Sequence, residues 1–366
     1  LLQASVTVNK IALAPLTPIH LNYLIADTLN ASPEQAISLT KLVHQKTQGN
    51  PFFSNQFIKS LYDDGLIIFD TSVSGWHYDI APIRAMSLIE DVVEFVAKQL
   101  QKLSLETQNV LKLAACIGNQ FDLETLAIVY EQSPTETAAA LWQALKEGVI
   151  LPNGEGYKLF PADGWTLVTE NAPIPSAQEK PIVSYSFLHD RVQQAAYSLI
   201  PDDDKQATHL KIGQRLLNNV PEAEREANVF EIVNHLNIGI ELMRSQDDGL
   251  RVASVAEQLA QLNLIAGRKA LASTAYKAAI EYLTRGIRLL RLDCWHRQYG
   301  LTLSLHKSAA EAAYLCGAYE QMEQLGETVM RQAKTLLDRV GIYDIKIQAY
   351  TAQNNVLAAI AIARQA

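Results

Sequence analysis

From Asp204 onward the sequence shows no strand alternation. Apolar residues recur at three-to-four spacing, and small residues stand where neighbouring helices would cross. A helix expected over Ala272 to Leu290 carries Tyr276, Ile280, Leu283, Ile287 and Leu290 on one face, which defines a buried stripe. A run of amphipathic helix this long buries its apolar faces by stacking helix on helix, so the expected fold class is mainly α.

Helix pairs recur within that run. Ala275-Tyr276 and Ala318-Tyr319 each open a second helix after a long first one, at a spacing longer than the ~34 residues of a standard tetratricopeptide unit. Residues 201–366 are therefore expected to form an irregular tetratricopeptide-like α-solenoid, whose concave face binds protein or packs on a neighbouring part of the chain.

Upstream, the pattern changes twice. Residues 18–103 read as a helical lid: helices over Pro18 to Leu29, Pro33 to Gln48 and Pro51 to Asp64, then strands at Leu66 to Phe69 and Trp76 to Tyr78 joined around Ser72 to Gly75. Residues 104–200 read as a winged-helix domain with helices over Leu105 to Ile117, Leu123 to Tyr130 and Pro134 to Glu147. A small β-hairpin wing follows, Val149 to Leu151 with Tyr157 to Phe160, and then a third strand at Ile182 to Leu188. The proline-bearing stretch between Phe160 and Ile182 reads as a long wing tip or insertion. Residues 1–17 contain Ile11-Ala12-Leu13, read as the last strand of a larger sheet that lies upstream. With no initiator methionine at Leu1 and a helical pattern that stops at Ala366, the sequence is read as an internal fragment.

Length and composition bound the function. With 366 residues and 48% hydrophobic content the chain buries a sizeable core and exceeds one ordinary domain. Its longest apolar runs, such as Val356 to Ala363, are too short to cross a bilayer, and no signal peptide is visible, so a cytoplasmic protein is expected. Cys116, Cys294 and Cys316 are widely separated in apolar helical contexts and suggest neither disulfides nor zinc. The net charge of −8, from 31 basic and 39 acidic residues, argues against nucleic acid as a partner.

Two junction motifs stand out. In Gly49-Asn50-Pro51-Phe52-Phe53, Gly49 suits a left-handed helix end, Asn50 an N-cap and Pro51 the first helical position. That is a complete structural account, yet the same helix start held near a nucleotide would present a rigid proline ring and backbone groups to a purine. In Ser186-Phe187-Leu188-His189-Asp190-Arg191, Asp190 with Gln193 matches a capping box for a helix from Arg191 to Leu199, with His189 at a strand end. Functionally, a helix N-terminus attracts anions, and an imidazole beside it can donate to a phosphate oxygen.

The order of strand end, helical lid, Gly-x-Pro, winged helix, Leu-His-Asp and helical repeats resembles the carboxy-terminal part of a STAND-class AAA+ ATPase. The resemblance implies that Pro51, with Gly49 and Asn50, lies on the adenine side of a nucleotide. It implies that His189 senses the β-phosphate of ADP, with Asp190 as its supporting cap. Leu188 stands where that family's motif has methionine. The stretches Phe187 to Tyr197, Ile232 to Asn237 and Ala266 to Ala270 are similar, more narrowly, to the ATPase module of large bacterial multi-sensor histidine or serine/threonine kinases. This implies an upstream nucleotide-binding core and kinase domains in the same protein, and ATP or ADP with Mg as cofactor of the intact protein. The fragment alone is not expected to hold nucleotide tightly.

The departures limit the chemistry. The sequence contains no Gly-x-x-x-x-Gly-Lys-Ser/Thr and no apolar strand ending in paired acids, so no catalytic residue is assigned and the fragment is not expected to hydrolyse ATP. His235, His296 and His306 lack the partners of a zinc helix, so no metal residue is assigned either. Asp202-Asp203-Asp204 reads as a solvated helix start. The presumed recognition helix, Pro134 to Glu147, has Lys146 as its one basic residue, which disfavours a winged-helix transcription regulator. The main alternative is a tetratricopeptide-like scaffold that binds a protein partner on its helical repeats without nucleotide.

Overall fold

The computed structural model describes residues 13–71, 75–85, 92–154, 183–245 and 249–365. It is mainly α, with a two-stranded and a three-stranded sheet among the described residues. Contacts divide it into two compact units that do not follow chain order. The first takes the chain up to Phe121 together with Ala138–Leu199, and the second takes Asp122–Thr137 together with the chain from Ile200.

Three helices open the first unit: α1 (Pro18–Thr28), α2 (Pro33–Thr47) and α3 (Pro51–Asp63). Each begins with a polar N-cap followed by proline, because the cap side chain satisfies an orphan backbone N–H and proline has none to lose. Thr17 accepts from the His20 N–H and Asn50 from the Phe53 N–H, while Ser32 and Gln35 form a reciprocal capping box. Strands β1 (Ile67–Asp70) and β2 (Gly75–Tyr78) pair antiparallel, with Ile67 opposite Tyr78 and Asp70 opposite Gly75. The Tyr78 hydroxyl donates to the Gln35 carbonyl at 2.6 Å and ties this hairpin to α2. Helices α4 (Ile80–Ala85) and α5 (Val92–Leu100) follow.

The next elements are α6 (Leu105–Ile117), β3 (Gln120–Asp122), α7 (Leu123–Tyr130), α8 (Pro134–Lys146), β4 (Ile150–Asn153), β5 (Ser184–Phe187) and α9 (Asp190–Ser198). The sheet order is β3-β5-β4, with Ile150 antiparallel to Phe187 and Asn153 to Ser184. The expected wing strand Tyr157 to Phe160, the stretch from Phe160 to Ile182 and the expected strand Ile11-Ala12 lie outside the described residues. Phe121, Tyr185 and Phe187 are buried together over this sheet, at ring separations of 5.9 and 5.6 Å from Phe121.

In the second unit, α7 packs on α10 (Asp202–Asn219), which pairs with α12 (Val229–Ser245) beyond the short α11 (Glu222–Arg225). Arg215 of α10 pairs with the Glu131 carboxylate and donates to the Val129 carbonyl, so a cation sits at the negative C-terminal end of α7. Next come α13 (Gly249–Ala272), α14 (Tyr276–Leu289), α15 (Cys294–Arg297), α16 (Tyr299–Leu315), α17 (Tyr319–Gln332), α18 (Leu336–Ala352) and α19 (Val356–Ala363).

The helix expected over Ala272 to Leu290 starts at Tyr276, where a second helix was expected to open, and Ala272 is the last residue of α13. Thr274 has φ +60, its N–H reaches the Leu271 carbonyl, and the Ala275 N–H reaches the Ala270 carbonyl. That is a Schellman stop, in which orphan carbonyls are satisfied by the residues that leave the helix. The same turn recurs at Gly317-Ala318, where φ is +79, and at Asn354-Asn355, where φ is +58. Three helix pairs, α13–α14, α16–α17 and α18–α19, are thus built on one turn.

The buried face of α14 is also shifted from the expected stripe. It comprises Ala279, Leu283, Gly286 and Leu289, with Tyr276, Ile280, Ile287 and Leu290 half-buried beside it. Small residues take the centre because the helices approach closely. A Cβ at Gly267 of α13 would lie 2.4 Å from the Leu283 side chain. None of the three cysteines is fully buried: Cys116 and Cys294 are half-buried and Cys316 is exposed.

Candidate functional site

The site grows from two chain junctions of the first unit. At the first, α2 ends with Gln48 and Gly49 both at positive φ, +53 and +73. The Leu16 N–H donates to the Gly49 carbonyl at 2.8 Å, and a Cβ at Gly49 would lie 2.2 Å from the Leu16 oxygen. Only glycine meets both demands. Asn50 then caps α3, its Oδ1 accepting from the Phe53 N–H at 2.9 Å, and Pro51 stands exposed at the first helical position. Beneath it, Thr47 and Ser54 share a buried hydroxyl hydrogen bond of 2.9 Å. Phe53 packs on Phe95 of α5 at 5.4 Å, and Phe57 on Phe95 at 6.0 Å, which fixes the roll of α3.

At the second junction, β5 is held on both edges: the Phe187 N–H donates to Asn119 and the Leu188 N–H to Val149. His189 follows in extended conformation, φ −160. The expected cap, Asp190, is instead the first residue of α9, and His189 itself is the N-cap. Its Nδ1 accepts from the Arg191 N–H at 3.1 Å, because the extended backbone at position 189 aims the ring back over the first turn. Gln193 does not complete a box with Asp190; its Nε2 donates across to the Ala115 carbonyl of α6 at 3.0 Å.

The fold brings these junctions into contact. The rings of Phe52 and His189 are stacked, with centroids 4.3 Å apart and planes inclined by 16°. Helix α5 packs on α9 behind them, and Lys59 of α3 donates to the Glu147 carbonyl at 2.8 Å just past α8. Beside these ties lies a cleft of 340 Å³ lined by Lys59, Asp63, Leu100, Glu147, Leu188 and Val192. The Phe52 ring, next to Pro51 in sequence, thus joins the Gly49-Asn50-Pro51 junction to His189.

No protein-family model matches the chain. It is 30% identical, in an alignment of 359 positions that covers 89% of the chain, to the hybrid signal transduction histidine kinase G of Dictyostelium discoideum. The chain spans only 10% of the length of that relative. Among solved structures, it is similar to a signal transduction ATPase with numerous domains (STAND) carrying a tetratricopeptide repeat sensor, from Pyrococcus horikoshii. The identity is 13%, the TM-score 0.34, and the coverage 96% of this chain and 47% of the other.

The second unit holds polar clusters that the sequence reading did not single out. His209 of α10 and His235 of α12 are both buried, with their Nδ1 atoms 2.8 Å apart and their rings stacked. Burial, and secondarily the charge of His209, pulls His235 down to about 4; burial also lowers His209. One turn before His235, burial pushes Glu231 up to about 7, with the negative charge of Asp122 adding to it, and Glu231 Oε1 is sealed without a hydrogen-bond partner among the described residues. Asn237 and Asn263 exchange two amide hydrogen bonds of 3.0 Å between α12 and α13. Each of these pairs joins residues on different helices, so no local motif marks it. No cluster of three or more metal-ligating side chains occurs among the described residues, and no helix there is long and apolar enough to cross a membrane.

Proposed function

We propose that this chain is a nucleotide-sensing regulatory segment of a STAND-type ATPase within a signal-transducing protein kinase, coupling ADP or ATP state to kinase output. The observation that carries the reading is the direct stack of Phe52, next to the Gly-x-Pro proline, on His189 of the Leu-His-Asp motif. The similarity to a signal transduction histidine kinase over most of the chain points the same way. The residues fit one side of a nucleotide. Pro51 is an exposed rigid ring for the adenine, and the second ring nitrogen of His189, which has no hydrogen-bond partner among the described residues, can donate to a phosphate oxygen. The upstream core of the same protein would supply the phosphate cradle and magnesium ligands. No hydrolytic step falls to residues of this chain.

In this reading the segment stays closed while His189 is engaged by a diphosphate and opens when that contact is lost. Output then follows the difference in contact energy between the two states. Replacing His189 by Ala in the full-length protein is expected to raise basal signalling and lower ADP retention. Output and retention equal to wild type would rule out the sensor role.

A second reading, a protein-binding scaffold without nucleotide, draws on the 650 Å³ groove that α13, α16 and α18 form in the second unit. Arg268, Ser304, Lys307, Ser308, Glu311 and Asp344 line it. Nucleotide absent from the purified full-length protein would favour this reading.

A further inference from the structure

We propose that Phe52 is a positioning residue for His189, holding its ring in one plane so that it presents a single N–H donor. The inference rests on the nucleotide-sensing reading for its purpose, and on the geometry of the two rings for its content. The Arg191 N–H points at His189 Nδ1 at 3.1 Å, so Nδ1 must supply a lone pair and the proton of the neutral ring must sit on Nε2. One hydrogen bond at one corner leaves the ring free to tilt about that corner. The Phe52 face at 4.3 Å and 16° removes that freedom.

Phe52 is in turn fixed at the base of a helix whose next residue, Phe53, is buried against Phe95. The sensor imidazole is therefore oriented by the same helix start that presents Pro51. A displacement of α3 would release the donor of His189 without touching the residues of its own loop.

The test has two arms. The 366-residue chain, labelled with ¹⁵N only at histidine and assigned with His189→Gln, is examined by NMR. Wild type is expected to show a protonated Nε2 and an acceptor Nδ1 at His189. Phe52→Leu is expected to give the averaged signals of an unfixed ring, and Phe52→Tyr to restore the wild-type pattern. His189 signals unchanged in Phe52→Leu, or not restored in Phe52→Tyr, overturn the proposal.

In the full-length protein, Phe52→Leu is expected to weaken ADP retention by about tenfold, the scale on which one aromatic pair acts, and Phe52→Tyr to recover it. Wild type and Phe52→Leu holding ADP equally would overturn the positioning role while leaving nucleotide sensing intact. Wild type holding no ADP would instead sink the nucleotide reading, and the NMR arm alone would then decide whether Phe52 fixes the ring.

Discussion

Replacing Glu231 by Gln should stabilise the helical unit at pH 8 and leave it nearly unchanged at pH 4.5. Burial first, and the charge of Asp122 second, raise this carboxyl from 4.5 to about 7, while the unfolded chain titrates near the ordinary value. Between those two values the folded state keeps a proton that the unfolded state has lost, so stability falls as pH rises through the window and stays low above it. A shift of that size corresponds to about 3 kcal/mol. Glu231 is only half-buried as a residue, although its Oε1 is sealed, and screening by solvent reduces the figure to about 1–2 kcal/mol. Gln keeps the shape and cannot ionise, so the variant recovers that amount once the wild-type side chain is charged. For a unit of this size the gain appears as a rise of about 2–8 °C in its melting temperature at pH 8. The assay is thermal unfolding followed by circular dichroism at pH 4.5, 6, 7 and 8. A variant less stable than wild type at pH 8, or a gain independent of pH, would refute the argument.

The His209–His235 pair should show the opposite slope. Both rings must be neutral to pack, so their contribution is complete above about 6.5 and is lost as pH falls towards about 4. Urea titrations in the Glu231→Gln background, where the competing slope is absent, should show a loss of about 2–3 kcal/mol across that window. Adding His235→Asn should flatten it. Gly49→Ala should cost about 2–4 kcal/mol in the first unit, because the new Cβ meets a carbonyl oxygen and the φ of +73 disfavours any side chain. Denaturant unfolding checks this, and a loss below about 0.5 kcal/mol would mean that Leu16 and Gly49 separate easily.

Much of the fold was legible because much of it is local. The starts of α1, α2 and α3 follow from Thr17-Pro18, Ser32-Pro33 and Asn50-Pro51, where cap and proline act within one turn. Helices α6 and α7 have the bounds that their periodicity predicts. Ala275-Tyr276 was read as the opening of a second helix, and α14 does start at Tyr276; the turn that makes the break was not legible because a threonine at positive φ is an uncommon stop. The cap of α9 was misassigned because an aspartate is the commoner N-cap. Only the extended backbone of His189 shows that the imidazole fills that place.

The sequence by itself determined the mainly helical class, the proline-opened helices and the two motifs, since each depends on hydrogen bonds and periodicities that close within a few residues. Tertiary structure alone decided that Phe52 meets His189, that β4 pairs with β5 and that α7 packs in the unit of α10. It also decided that His209, His235 and Glu231 titrate abnormally. These depend on which helix faces meet and how much water they exclude. That is a property of packing between distant segments, which no local pattern of residues encodes.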